Sequence, residues 1–153
     1  VLDAPQTSRN FMELARKGFF NGLEVHRVEA NFVVQDGDPR GDGEGGPGYS
    51  IRDELNVRPY VRGTVGMALD WRDTGGSQFF ITQSPQPHLD GRYTVFGRVV
   101  AGMDVVERLE PRFERIDLRH HAPVLLEQPV VAAAENRSEE LGQHAEGGVG
   151  GAT

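Results

Sequence analysis

Four residues suggest a site in which a cation lies beside neutral amides and an aromatic ring. Arg27 and Gln35 occur in two successive β-like runs, and Gln78 and Phe80 occur in another run farther along the chain. Because the members of each pair are separated by an even number of positions, each pair can project from one face of a sheet. A guanidinium beside an apolar pocket, with no nucleophile, metal cluster or cofactor loop in these segments, suits a reaction that makes and breaks no covalent bond.

The elements that would carry these side chains are mostly short strands. Runs rich in β-branched and aromatic residues, bounded by turns of Gly, Pro and Asp, predict strands over residues 23–28, 32–35, 64–68, 78–82, 93–100 and 124–126. Two helices are predicted as well, one with Thr7 or Ser8 as its N-cap and Gly18 at its end, the other from Gly102 to Leu109. This pattern predicts a mainly β fold, a small antiparallel barrel flanked by two helices.

Composition restricts the classes of function. The chain has 153 residues, 37% of them hydrophobic, which is enough for one globular domain with a single core. Its formal charge of -7, with arginines scattered among acids, argues against a nucleic-acid partner. No apolar run reaches the roughly 18 residues that a membrane-spanning helix needs, so we expect no membrane insertion. The absence of cysteine excludes disulfides and leaves the compartment, cytoplasmic or periplasmic, undetermined.

The character of the chain changes near residue 130. An Ala-rich run there is followed by Glu, Ser, Gln and many glycines, with too little apolar content to join a core. We therefore expect one domain over residues 1–129 and a flexible acidic and Gly-rich tail over residues 130–153. The first residue is Val1, so any targeting segment upstream of it would not be visible.

Six short motifs occur in a fixed order along the first two thirds of the chain. They are His26-Arg27, Phe32 through Gly37-Asp38, Gly45-Gly46, Gly66-Met67-Ala68, Gly76-Ser77-Gln78-Phe79-Phe80, and Leu89-Asp90-Gly91 followed by Val95-Phe96-Gly97. In this order they resemble the cyclophilin family of peptidyl-prolyl cis-trans isomerases, from about Ala4 to about Glu110. The resemblance implies a cyclophilin-like antiparallel β-barrel. It also implies that the first two strands are absent, and that the chain is a monomeric domain of a longer protein.

The reaction of that family is rotation of the amide bond that precedes proline. The bond has a rotation barrier of about 18 to 20 kcal/mol, while its cis and trans forms differ by only about 0.5 to 1 kcal/mol. A catalyst has to weaken amide resonance by donating a hydrogen bond to the prolyl nitrogen and by holding the ring in a poorly hydrated pocket. Arg27 is the best donor, since it stays charged at any ordinary pH. By resemblance, Arg27, Phe32 and Gln35 are the catalytic residues.

The resemblance also assigns residues that would contact the substrate. They are Val33, Ala68, Leu69, Gln78, Phe80, His88, Leu89 and Tyr93. Leu69 stands where the family commonly has Asn, Tyr93 replaces a frequent His, and His88 replaces the Trp that helps many eukaryotic members hold cyclosporin. We expect catalysis to be retained and cyclosporin binding to be weak. Asp36 replaces the usual Gly, and we expect it to add negative charge close to the catalytic face and to favour basic peptides.

Other interpretations remain open from the sequence. The expected partners are proline-containing peptides and unfolded proteins, with assistance to protein folding as the role and with no cofactor or metal. A noncatalytic module that binds proline peptides, an inactive fragment of a larger protein and a purely structural domain would share many of these residues. Residues 41–46 match the GxGxxG pattern, but Pro47 follows where a dinucleotide site requires a helix.

Overall fold

The computed structural model describes residues 3–109 and a two-residue strand near the predicted end of the domain. In chain order the elements are α1 (Pro5–Arg16), β1 (Arg27–Val28), β2 (Val33–Asp36), β3 (Thr64–Met67), β4 (Phe79–Thr82), a 3-10 helix (Pro87–Leu89), β5 (Val95–Ala101), α2 (Met103–Arg108) and β6 (Leu125–Leu126). The predicted tail over residues 130–153 lies outside the described residues, as does residue 124. Neither of the two described α-helices is long and apolar enough to cross a membrane.

The six strands form one sheet in the order β1-β2-β4-β3-β5-β6. Every pair of neighbouring strands is antiparallel. The predicted mainly β fold with two helices is therefore confirmed. The sheet is not closed, because β1 and β6 form its two edges and do not pair with each other within the described part of the chain.

The strand register divides the side chains between two faces of the sheet. Arg27 lies directly opposite Gln35, and Gln35 lies opposite Phe80. These three residues therefore share one face, as their spacing predicted. Val34 and Ile81 lie opposite each other on the other face, which covers the main core. The buried members of that core are Ala4, Val34, Val65, Met67, Ile81, Phe96, Val99, Val106 and Leu109.

Helix α1 packs on the core through an aromatic cluster. The ring of Phe11 lies 5.2 Å from that of Phe79 and 5.3 Å from that of Phe96, measured between ring centroids. Phe20, which follows the helix, stacks on Phe11 at 5.0 Å. Such pairs contribute about 0.5 to 1.5 kcal/mol each beyond the burial of their apolar area. The cluster fixes the helix on the face of the sheet opposite to Arg27.

The N-terminus of α1 is capped by a residue from a distant loop. The backbone N–H groups of Gln6 and Thr7 donate to the two carboxylate oxygens of Glu54, at 3.0 and 2.7 Å. The prediction that Thr7 or Ser8 caps the helix is wrong, because the helix begins earlier, at Pro5, and both side chains are buried within it. Proline suits a first helical position, where no N–H bond is needed.

The predicted end of α1 at Gly18 is confirmed. Gly18 adopts φ +71°, the left-handed conformation that glycine tolerates best. Its N–H donates to the carbonyl of Ala15, and the N–H of Phe19 donates to the carbonyl of Leu14. This pair of bonds is a Schellman motif, which satisfies carbonyls that the helix itself leaves unpaired.

Several predicted strands are shorter in the structure than in the sequence pattern. The run 23–28 forms only Arg27–Val28, and Gln78 and Tyr93 precede β4 and β5 instead of starting them. Helix α2, by contrast, lies within one residue of its predicted limits at each end. The difference arises because strands are defined by partners far away in the chain, whereas a helix is defined by its own hydrogen bonds.

Candidate active site

A chain of four hydrogen bonds made by three side chains crosses the exposed face of the sheet. Gln78 donates from Nε2 to the backbone carbonyls of Gly43 and Gly45, both at 2.8 Å. Its Oε1 therefore faces Gln35, which donates to it from Nε2 at 2.9 Å. The Oε1 of Gln35 in turn accepts a bond of 3.2 Å from Nη1 of Arg27. Because each amide has its donor and acceptor assigned, the orientation of both glutamines is fixed.

Arg27 is also held by an acid that sequence reasoning missed. Glu29 accepts bonds from Nε and Nη2 of Arg27 through one carboxylate oxygen, at 2.9 and 2.5 Å. The guanidinium carbon lies 5.9 Å from the centroid of the Phe32 ring, within the range of a cation–π contact. The two-residue spacing of Arg27 and Glu29 could have indicated the pair, because it places them on the same side of an extended chain.

A cavity of about 180 Å³ lies beside the guanidinium. Its walls are Arg27, Phe32, Val33, Gln35, Ala68, Leu69, Asp70, Phe80, Leu89 and Tyr93. We call this space the proline cavity. Phe80 meets the edge of Tyr93 at a centroid distance of 5.6 Å. Leu89 reaches the cavity because the short helix Pro87–Leu89 turns it inward, where it is buried.

Tyr60 supports Phe80 from behind and was not predicted. Its ring stacks on that of Phe80 with centroids 5.4 Å apart, and it is almost completely buried. Gly66 makes this packing possible: a Cβ atom there would lie 2.4 Å from the Tyr60 hydroxyl and 2.5 Å from Cζ of Phe80. Burial raises the pKa of Tyr60 well above its ordinary value. The phenol is therefore a neutral packing group rather than a base.

His88 lies at the rim of the proline cavity. Its ring stacks on Phe32 with centroids 5.6 Å apart and planes inclined by 22°. The side chain does not line the cavity itself. His88 therefore extends the aromatic wall beyond the cavity, where it could contact the part of a bound ligand that lies outside.

A second cavity of about 290 Å³ adjoins the first. Its walls are Gln35, Glu44, Gly45, Gly46, Pro47, Tyr49, Ser50, Ala68, Leu69, Asp70, Thr74, Gly76, Ser77 and Gln78. We call it the loop cavity, because most of one side comes from the glycine-rich loop after β2. Gln35, Ala68, Leu69 and Asp70 line both cavities and form the ridge between them.

Asp38 organises the loop that forms this second cavity. One of its carboxylate oxygens accepts the N–H of Arg40 at 2.7 Å, and the other accepts those of Asp42 at 3.0 Å and Gly43 at 2.5 Å. Although burial acts to raise it, these backbone donors hold the pKa of Asp38 below its ordinary value. The buried carboxylate thus fixes the carbonyl of Gly43, which orients Gln78.

The expected position of Asp36 on the face that carries Arg27 is wrong, while the expected preference for basic peptides stays a prediction. Asp36 pairs with Phe79 in the sheet register, one position beyond the pairing of Gln35 with Phe80. Successive side chains on a strand point to opposite faces, so Asp36 lies on the side away from Arg27. Burial raises the pKa of its carboxyl group, while the N–H of Gly37 and the nearby His26 act in the opposite direction. Its side chain therefore does not stand on the face that carries Arg27.

The structure thus brings the predicted site residues together around two adjoining cavities. Arg27, Gln35 and Gln78 form the polar chain, and His88 lies at the rim. The remaining predicted residues, Phe32, Val33, Ala68, Leu69, Phe80, Leu89 and Tyr93, all line the proline cavity. Within the described residues, no group of three or more His, Asp or Glu side chains is arranged to hold a metal ion. The arrangement can grip a small apolar ring and donate hydrogen bonds to its edge.

Comparison with known proteins agrees with this geometry. Residues 2–128 match the family model described as cyclophilin type peptidyl-prolyl cis-trans isomerase/CLD. The chain therefore belongs to the cyclophilin family of peptidyl-prolyl cis-trans isomerases.

Curated bacterial relatives carry the same name. A peptidyl-prolyl cis-trans isomerase of Synechococcus elongatus is 54% identical over 96 residues, which are 63% of this chain and 66% of that protein. Peptidyl-prolyl cis-trans isomerase B of Bacillus subtilis is 49% identical over 108 residues, 69% of this chain and 76% of the relative. The chain thus spans roughly two thirds to three quarters of these relatives.

Solved structures give the same fold. A cyclophilin type peptidyl-prolyl cis-trans isomerase of Cryptosporidium parvum superposes with a TM-score of 0.69 at 31% identity, covering 75% of this chain and 81% of that one. A second structure of the same protein, determined in the presence of the dipeptide Ala-Pro, gives a TM-score of 0.67.

Proposed function

We propose that this domain catalyses cis-trans rotation of X–Pro bonds in peptides and unfolded proteins, with Arg27 as the catalytic hydrogen-bond donor. The observation that supports this most strongly is the position of the guanidinium at the wall of the proline cavity, held there by Gln35. A proline ring in that cavity would present its nitrogen to a donor that carries a permanent charge.

The energetic role of Arg27 follows from the change at the prolyl nitrogen. In the planar amide its lone pair is delocalised into the carbonyl, whereas in the twisted transition state it is localised and accepts a hydrogen bond. A charge-assisted hydrogen bond is worth about 1.5 to 3 kcal/mol. If it forms only in the transition state, it accelerates rotation by about 10- to 150-fold. No covalent intermediate, metal or cofactor is required.

The rest of the acceleration would come from the cavity. Val33, Phe80 and Leu89 are buried around it and would hold the ring while the preceding carbonyl rotates. Removing water also favours catalysis, because water stabilises the polar planar form of the amide. We propose that Phe32 and Tyr93 complete the grip on the ring.

The substrate backbone would pair with the ridge between the cavities. The N–H of Ala68 already donates to the carbonyl of Gln78 at 3.1 Å. We therefore assign the pairing with an extended peptide to the backbone of Leu69, in the manner of strand addition. In that binding mode the side chain of Leu69 matters little, so its presence in place of Asn is compatible with activity. Gln78 would line the path of the residues that precede proline.

We further propose that the domain acts as a monomer. We also propose that it binds cyclosporin weakly, because His88 stacks flat on Phe32 where many eukaryotic members have Trp. The strength of cyclosporin binding is measured by its inhibition of a proline-isomerisation assay. Half-inhibition at nanomolar cyclosporin would contradict the proposal, and a His88→Trp variant should be inhibited at lower concentration than the parent.

The decisive experiment for the function is NMR exchange spectroscopy on a short X–Pro peptide with the parent chain and its Arg27→Ala variant. Uncatalysed exchange takes tens of seconds or more, so acceleration is easily detected. We expect the parent to accelerate exchange and the variant to lose about 10- to 150-fold of that rate. Arg9→Ala, which removes an equally charged and exposed residue from α1, is the matched control and should behave as the parent does.

Two results would contradict the proposal. A folded parent that shifts peptide resonances without accelerating exchange would be a noncatalytic module that binds proline peptides. An Arg27→Ala variant with the parental rate would show that catalysis does not depend on this donor.

A further inference from the structure

Glu29 occupies a fixed position next to the proposed catalytic arginine. It follows β1 directly, in the turn that leads to β2. Its N–H donates to the carbonyl of Val33 at 2.9 Å, and its own carbonyl accepts the N–H of Phe32 at 3.0 Å. Asn31, inside this turn, adopts φ +59°. Both the N–H and the carbonyl of Glu29 are therefore hydrogen-bonded, so the position of its Cα, from which the side chain projects, is fixed.

The contacts of Glu29 and Gln35 together fix the plane of the guanidinium. Arginine has five N–H donors in a rigid planar fork. Glu29 accepts from Nε and Nη2, and Gln35 accepts from Nη1 on the other side. Three donors are thus used by the protein, and two remain, one on each terminal nitrogen. Since the fork is planar, bonding it at two separate edges restricts its rotation about the last side-chain bonds.

We propose that Glu29 is a positioning residue for catalysis, which orients Arg27 so that its two remaining N–H donors point toward the proline cavity. This inference rests on the proposed function, and it assigns Glu29 no contact with the substrate. Gln35 alone would hold only one terminal nitrogen of the fork, at 3.2 Å, and would leave the guanidinium able to swing.

A purely structural role for the pair does not account for these contacts. The side chains of Arg27 and Glu29 are 45% and 51% exposed. Ion pairs that are this exposed add little to the stability of a fold, because water and salt screen them. The same modest energy, applied to the orientation of a catalytic donor, changes the rate by about two- to fivefold.

The test compares Glu29→Ala and Glu29→Gln with the parent by measuring kcat and KM separately. We expect Glu29→Ala to lower kcat by about two- to fivefold with KM unchanged, since orientation matters most in the transition state. Glu29→Gln keeps an oxygen acceptor and should recover part of the loss. Glu13→Gln removes a charge from the exposed side of α1 and is the matched control, expected to leave kcat unchanged.

The dependence of kcat on ionic strength and an Arg27→Lys background show whether Glu29 acts by positioning the guanidinium of Arg27. Raising ionic strength screens an exposed ion pair, so kcat of the parent should fall toward that of Glu29→Ala, whose kcat should not respond. In an Arg27→Lys background the planar fork is absent, and Glu29→Ala should then have no further effect on kcat.

An NMR signal gives a readout that does not depend on turnover. The Nε–H resonance of Arg27 should be observable in the parent and should broaden in Glu29→Ala, which removes its acceptor. If kcat is unchanged or rises in Glu29→Ala while the parent is active, the inference is overturned and the proposed function stands. If the parent accelerates no exchange at all, both are overturned.

Discussion

The two adjoining cavities differ in the structural elements that enclose them. The proline cavity is enclosed by side chains of β1, β2, β4 and the 3-10 helix and by residues that flank β2, β3 and β5, and its apolar members Val33, Phe80 and Leu89 are buried. The loop cavity is lined on one side by loop residues, among them Glu44 to Pro47, and most of its other lining residues are exposed or half-buried. One cavity is part of a hydrophobic cluster, whereas the other depends on a loop held by a single buried carboxylate.

This difference shows how the molecule separates rigid and adaptable parts of one site. Groups packed in a cluster move little, because protein interiors are as dense as organic crystals. A loop held by hydrogen bonds opens at a lower free energy and can accommodate different ligands. We infer that the proline cavity provides the chemistry, which requires fixed geometry, and that the loop cavity receives the variable residues before proline.

Among the substitutions that compare the two cavities, the largest effect on activity is expected from Gly66→Ala, which fills the packing behind the proline cavity. The new Cβ would lie 2.4 Å from the hydroxyl of Tyr60 and 2.5 Å from Cζ of Phe80. Both rings are buried in the same cluster, so relief requires Phe80 to move toward the ligand space. We expect a loss of about 1 to 3 kcal/mol in unfolding free energy and of at least about tenfold in kcat/KM. Urea unfolding and the exchange assay measure the two effects.

Gly97→Ala is the matched control for Gly66→Ala. Gly97 also lies in the sheet, on β5, but the closest atom to its Cβ would be Cβ of Val65 at 3.4 Å. This contact is near the ordinary range, so activity should change by less than about twofold. Equal losses of activity in the two variants would mean that added volume anywhere in the sheet disturbs the site, and that the proline cavity is not especially rigid.

The same contrast explains which parts of the site could be predicted from the sequence. The shared face of Arg27 and Gln35 was predicted from their even spacing, and the register, which pairs them directly across β1 and β2, confirms it. Strand alternation also contradicts the expectation for Asp36, which lies one position from Gln35 and therefore on the opposite face. That error came from treating nearness in sequence as nearness to the site.

Contacts between distant parts of the chain could not be read in this way. Glu54 caps the N-terminus of α1 by accepting the N–H of Gln6, which lies 48 residues earlier in the chain. No local sequence pattern indicates such a partner. Tyr60 behind Phe80 is a similar case, since its role depends on the absence of a side chain at Gly66. Packing of this kind is decided by the tertiary fold and not by the periodicity of any one segment.

A smaller effect on activity is expected from Asp38→Asn, which tests the loop cavity. The two carboxylate oxygens of Asp38 accept hydrogen bonds from three backbone N–H groups. The amide of Asn has only one oxygen acceptor, and its NH2 group would face backbone N–H groups that are themselves donors. We expect a loss of about 1 to 3 kcal/mol in unfolding free energy at neutral pH. Activity should fall by about two- to fivefold, because the loop orients Gln78 and through it Gln35 and Arg27. Asp42→Asn, an exposed acid of the same loop, should stay within about 0.5 kcal/mol of the parent.

The pH dependence of the Asp38→Asn difference shows whether the charge of the carboxylate holds the loop. The folded-state pKa of Asp38 lies below the ordinary value of 3.8, so its ionised form is stabilised by folding. Its contribution is therefore fully present well above pH 3.8, and it is lost as the pH falls through the lowered folded-state value. The unfolding free energies of parent and variant should converge over that acidic range. A gap that stays constant there would mean that shape, and not charge, organises the loop, and the two cavities would then be held by the same kind of packing.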